Sequence, residues 1–141
     1  MNMTLELAEK ITSAARSKAR DMGLKPVTIA VLDAGGYLTA LLREDGASNM
    51  RSEIAQGKAR GALSMGLGSR ALFNRAQEQP YFIQSVNALS DGSLVPVPGG
   101  VLIKDGGVIV GAVGVTGDTS DNDEICAVAG IEAAGLTADV G

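Results

Sequence analysis

Leu7, Ile11, Ala14, Ala15 and Met22, with Lys18 among them, recur at three- and four-residue steps. This spacing predicts an amphipathic helix from Thr4 to Met22, with Thr4 capping its start and Gly23 closing it. After Pro26, the run Val27-Thr28-Ile29-Ala30-Val31-Leu32 is β-prone and apolar on both faces, as in a central strand. Ala34-Gly35-Gly36 supplies a turn, and Tyr37 to Arg43 returns as the partner strand. Arg43-Glu44-Asp45-Gly46 forms a polar corner before a helix from about Met50 to Leu67. That helix is built from small residues: Ala55, Gly57, Ala59, Gly61, Ala62 and Gly66. Each interior glycine costs about 1 kcal/mol relative to alanine. Tight packing against a sheet, another helix or a neighbouring subunit is therefore expected to offset them.

Short helices are predicted at Arg70 to Gln77 and Pro80 to Leu89, the second with proline in its first turn. Beyond Ser90-Asp91-Gly92-Ser93 the pattern turns to strands. Val95 to Lys104 carries Pro96, Pro98 and Gly99-Gly100, so its first half is expected to be irregular or at an edge. Asp105-Gly106 is a hairpin signal, and Val108 to Val115 is an apolar strand broken by Gly111 and Gly114. A helix from about Asp121 to Leu136 closes the chain. Adjacent strands joined as hairpins favour an antiparallel α+β sheet over a parallel one. With no repeat, low-complexity tract or linker, residues 1–141 read as a single domain.

Composition narrows the chemistry. The 141 residues include no histidine. A Ser-His-Asp or Cys-His pair, an H-E-x-x-H zinc site and a histidine ligand to haem are therefore all excluded. The single cysteine, Cys126, rules out an intrachain disulfide and any CxxC pair. No signal-like apolar core or membrane-length apolar run is visible, so a cytoplasmic protein without a membrane partner is expected. A net charge of −4 argues against nucleic acid as a partner. The charges are unevenly placed: residues 1–75 hold 11 of the 12 basic residues against 7 acids, while residues 76–141 hold Lys104 alone against 9 acids. Such a division is compatible with solvated faces, or with complementarity within the fold or between subunits.

Four segments combine polar groups with glycine: Arg43 to Gly46, Lys58 with its small neighbours, Pro98-Gly99-Gly100, and Gly117 to Glu124. Gly99 and Gly100 can direct bare backbone N–H groups at an anion or carbonyl oxygen, or simply form a bulge. Asp118, Asp121, Asp123 and Glu124 are crowded enough to perturb one another's pKa for acid–base work. The same acids match a helix-capping pattern in Ser120-Asp121-Asn122-Asp123, and no metal-loop spacing is present. Arg43 and Lys58 can each hold a carboxylate or an ordinary ion pair with Glu44, Asp45 or Glu53. Cys126 reads as a packed residue, and Asp33 as the residue that fixes its own turn. Gly111-Ala112-Val113-Gly114 lies within a strand, so it is not a dinucleotide fingerprint.

Four ordered blocks carry a family resemblance over nearly the whole chain. They are Gly23 to Ala47, Ile54 to Ala62, Val97-Pro98-Gly99-Gly100, and Gly111 to Glu124. Together they resemble the GlcG/HbpS-like haem-degrading domain family, which includes the C-terminal domain of PduO-type corrinoid adenosyltransferases. The resemblance implies a profilin-like or PAS-like α+β fold, with a five-stranded antiparallel sheet flanked by helices. It also implies a homo-oligomer (dimer, tetramer or octamer), and haem binding or a place in catabolism as family functions. Haem-binding members are described as using histidine, which is lacking here. A methionine, Tyr37, Tyr81, Lys58 or Cys126 would have to substitute.

Three functions follow. The first is an oligomeric binder of a small carboxylate or carbonyl metabolite or a planar cofactor, using Arg43, Asp45, Lys58, Pro98, Gly99, Gly100 and Asp121. The second is a cofactor-independent isomerase, tautomerase, hydratase or decarboxylase acting on a small carbonyl or hydroxy acid. In it Asp123 or Glu124 is the proton-transfer base, Arg43 holds the substrate and the Gly99-Gly100 amides stabilise an enolate. The third is a haem binder with a non-histidine ligand.

Overall fold

Thr4 starts the first helix as its place before the apolar stripe requires. Its hydroxyl accepts the Leu7 amide at 3.2 Å, and α1 runs Leu5–Asp21. The computed structural model describes residues 2–141. Strands β1 (Thr28–Asp33) and β2 (Leu38–Arg43) form the first hairpin. Asp33 fixes its turn as expected: Oδ1 accepts the amides of Gly35 at 2.9 Å and Tyr37 at 3.0 Å. Helix α2 (Arg51–Met65) stops where Gly66 takes φ 68°, a left-handed conformation that glycine adopts without strain. Helices α3 (Ser69–Glu78) and α4 (Pro80–Leu89) follow.

The segment before Gly100 is irregular, as its prolines demand, and β3 (Gly100–Asp105) then pairs with β4 (Val108–Thr116). The last helix, α5 (Ser120–Ala133), differs from expectation at both ends. Its cap is Thr119, one residue earlier than the Ser120 pattern suggests, with the Thr119 hydroxyl accepting the Asn122 amide at 3.2 Å. It ends before Gly135, whose φ of 77° turns the chain into β5 (Thr137–Asp139), where the residue pattern had continued the helix. Five antiparallel strands result, in the order β2-β1-β4-β3-β5.

Alternation along the strands divides the core. Ile29, Val31, Val101, Ile103, Val113 and Val115 join α1 and α5 in one layer, with Ile11, Ala15, Cys126 and Ile131. Leu32, Leu102 and Ala112 meet Ala59 and Ala62 of α2 on the opposite face. Small residues bring α2 close to the sheet. A Cβ on Gly114 would collide with the Ala55 carbonyl, and one on Gly100 with the Lys58 carbonyl. Gly57 and Gly61 let the segment around Leu94 and Val95 close on the helix: added Cβ atoms would lie 3.0 Å from Leu94 Cγ and 2.6 Å from Val95 Cγ2. Packing on both sides of α2 thus offsets the roughly 2 kcal/mol that its two interior glycines cost. None of the helices is long and apolar enough to cross a membrane, among the described residues.

Candidate functional site

The polar groups gather at the end of the sheet where β1 begins and β4 finishes. Lys58, on α2, crosses to β4 and α5. Its Nζ donates to the Val115 carbonyl at 2.9 Å and lies 3.3 Å from Asp123 Oδ2. The two side chains are 2% and 1% exposed, so this ion pair is fully internal. Asp123 Oδ1 accepts the Asp118 amide at 3.0 Å, which leaves neither carboxylate oxygen unpartnered. Burial lowers the Lys58 pKa against the pull of Asp123, with the nearby Arg51 charge acting in the same direction as burial. Burial likewise raises the Asp123 pKa, opposed by Lys58.

Glycine makes room for this lysine. A Cβ on Gly99 would lie 2.9 Å from Lys58 Nζ and 3.1 Å from its Cδ. Gly99 has φ 119°, which an L side chain rarely adopts. The Gly100 amide donates to Ser69 Oγ at 2.7 Å, in a buried bond. Pro98, Gly99 and Gly100 are all buried. The Gly100 amide is therefore spent on Ser69 rather than offered to solvent.

Arg70, at the start of α3, takes the two outer acids. Its Nε donates to Glu124 Oε2 at 2.9 Å and its Nη2 to Glu124 Oε1 at 3.2 Å and Asp121 Oδ1 at 2.5 Å. Hydrogen bonding to Glu124, and then to Asp121, raises the Arg70 pKa. Three ion pairs thus join the basic first half to the acidic second half within one chain: Lys58–Asp123, Arg70–Asp121 and Arg70–Glu124.

A second polar group lies across the strand ends, on the α2 face. Arg43, Thr28 and Thr116 are paired directly across β2, β1 and β4, so their side chains share that face. Arg51, in the first turn of α2, donates from Nη1 to Thr116 Oγ1 at 2.8 Å. Arg43 donates from Nη1 to Asn49 Oδ1 at 3.0 Å. Neither guanidinium has a carboxylate within ion-pair distance, among the described residues. Thr28 Oγ1 is completely buried and has no hydrogen-bond partner, the one such side-chain atom among the described residues.

Of the residues singled out from the sequence, the fold joins Lys58, Gly99, Gly100 and Asp123, and places Asp121 and Glu124 on Arg70. Arg43 lies at the other polar group, while Asp45 is exposed beside it. Thr28, Arg51, Thr116, Ser69 and Arg70 were not singled out. Two signals were available. Thr28 is the polar residue among the otherwise apolar residues 27–32, and Arg51 puts a cation in a first helical turn, where the dipole disfavours it. No group of three metal-ligating side chains occurs, among the described residues.

Comparison with known proteins agrees with this architecture. The family described as "Haem degrading protein HbpS-like" matches residues 3–132, and the chain belongs to that family. An uncharacterised 15.0 kDa protein of Citrobacter freundii, from the dhaT-dhaS intergenic region, is 30% identical over 127 residues, covering 89% of this chain and 87% of that protein. The crystal structure of a PduOC:heme complex superimposes with a TM-score of 0.86 at 25% identity, over 96% of this chain and 97% of that one. The crystal structure of HbpS gives a TM-score of 0.81 at 31% identity, over 94% and 89% of the two chains.

Proposed function

We propose that this protein binds a small carboxylate or carbonyl metabolite, or a planar cofactor, at the end of the sheet marked by Thr28. The orphaned Thr28 hydroxyl carries this reading. An unmet buried polar group costs about 1–3 kcal/mol, and buried groups elsewhere in proteins are nearly always paired. A ligand atom brought to that position, with the side chains over Thr28 moved aside, supplies the missing partner. Family membership supports ligand binding, since a structural relative is a haem complex. Self-association into a dimer, tetramer or octamer belongs to the same reading and is measurable by sedimentation equilibrium.

A panel of small acids, aldehydes and ketones, screened by thermal melting, tests the proposal. A ligand that raises the wild-type Tm should lose its effect in Thr28→Val, whose shape is nearly unchanged. Equal stabilisation of both proteins, or of neither by any compound, counts against it.

The two other functions find less support. As general base, Asp123 is closed off from solvent with both oxygens bonded, and Glu124 is held through both oxygens by Arg70. The haem complex of the PduO domain favours a haem reading, but Lys58 and Cys126 are not free to ligate iron, and the exposed donors Met50, Tyr37 and Tyr81 lie on separate elements. Lys58 is internal and bonded to Asp123, and burial pushes the internal Cys126 thiol up to about 11. Tyr37 and Tyr81 are exposed, the first beside the β1–β2 turn and the second on α4. A haem titration that shows a saturable Soret shift would reverse this ranking.

A further inference from the structure

We infer that Arg43 and Arg51 form a clamp for a single small carboxylate, seated over Thr28 and Thr116 at the mouth of the sheet. The inference rests on the ligand-binding reading and names the ligand's charged group. Directly paired residues of antiparallel strands have Cα atoms about 5 Å apart, so Arg43 and Thr116 lie about 10 Å apart with Thr28 between them. Arg51 reaches Thr116 from the first turn of α2, through its 2.8 Å hydrogen bond. In this row Arg43 stands on one side of Thr28 and Thr116, which holds the Arg51 guanidinium, on the other.

Charge favours an anion there. Both arginines bond only to neutral oxygens, those of Asn49 and Thr116, although each has further N–H donors. The nearest acids along the chain are otherwise engaged or unpaired. Glu44 turns to the Val27 amide, Arg16 and Arg20, while Asp45 and Glu53 form no ion pair. Helix α2 has no side-chain cap, so its free first-turn amides add to the positive potential, which Glu53 of the same turn partly offsets. A planar carboxylate matches the guanidinium fork. Thr28 is completely buried, so a carboxylate reaches its hydroxyl only when the side chains that cover it move aside. Arg43 is exposed and Arg51 half-buried, and in the clamp each exchanges one neutral hydrogen bond for a charged one.

Calorimetric titration of the full chain with acetate, pyruvate, inorganic phosphate and neutral acetamide tests the clamp. The expected result is binding of acetate or pyruvate and none of acetamide. Arg43→Gln and Arg51→Gln should each weaken it by about tenfold or more, with folding checked by circular dichroism. The clamp is overturned by preference for phosphate, by equal binding of acetamide, by unchanged affinity in both variants, or by no binding of either carboxylate up to about 10 mM. If Thr28→Val abolishes binding of a compound that both arginine variants retain, the clamp fails and the ligand site stands. If all three variants retain it, the ligand site fails as well.

Discussion

Lys58 Nζ and Asp123 Oδ2 meet 3.3 Å apart where neither side chain reaches solvent. The pair ties α2 to α5 across the end of β4, and Gly99 and Gly100 are shaped around the lysine. Removing one member leaves an uncompensated internal charge, at a cost of about 3–5 kcal/mol. Lys58→Met should therefore lower the denaturant midpoint strongly. Lys58→Met combined with Asp123→Asn should cost clearly less than the sum of the single changes. Additive losses would show that the two residues act independently.

Thr28→Val should have the opposite sign. It removes a hydroxyl that has no partner and restores an apolar surface, so the free protein should gain up to about 2 kcal/mol. Urea unfolding reads this directly. A loss of stability would mean that the hydroxyl is satisfied in solution. Stability given up at a position like this is a common mark of function.

Asp118 governs part of the acid response. Its Oδ2 accepts the Asn122 side chain and the Thr119 amide, and its Oδ1 the Lys25 amide. These bonds, the Asn122 one foremost, hold the carboxyl down to about 2 from an ordinary 3.8. A depressed folded-state pKa stabilises above the unfolded value and is lost as pH falls. The contribution should be complete above about pH 4 and disappear toward about pH 2. Asp118→Asn should flatten the stability profile in that window. An unchanged profile would assign the acid response to other groups.

Cys126 is internal, and its thiol is pushed up to about 11, by burial first and by Asp123 second. The native protein should react with a thiol reagent at pH 8 only at the rate at which it opens, and denaturant should release one rapid equivalent. Fast labelling of the folded chain would contradict this placement.

Much of the fold was legible because its signals are local. Thr4 and Gly23 bound α1, Asp33 fixes its turn, and Pro98 keeps the chain irregular up to β3. Strand β5 was hidden because three residues carry no periodicity; pairing with β3 alone defines it. For the site, the acidic run was visible but its allocation was not. Asp123 turns inward to Lys58, while Asp121 and Glu124 turn to Arg70, and residues 51 to 65 positions apart in sequence form those bonds. Thr28, Arg43 and Thr116 come together through strand register, which fixes faces only once the pairing is known.

The most direct test of the ligand site follows the arginine Nε–Hε resonances by NMR during titration with pyruvate. The site described here predicts that the Arg43 and Arg51 signals shift together and saturate. Arg60, which donates to the Gly36 carbonyl, should stay fixed, as should Arg70, held by Glu124 and Asp121. Saturating shifts at Arg60 or Arg70 with Arg43 and Arg51 unmoved would contradict it.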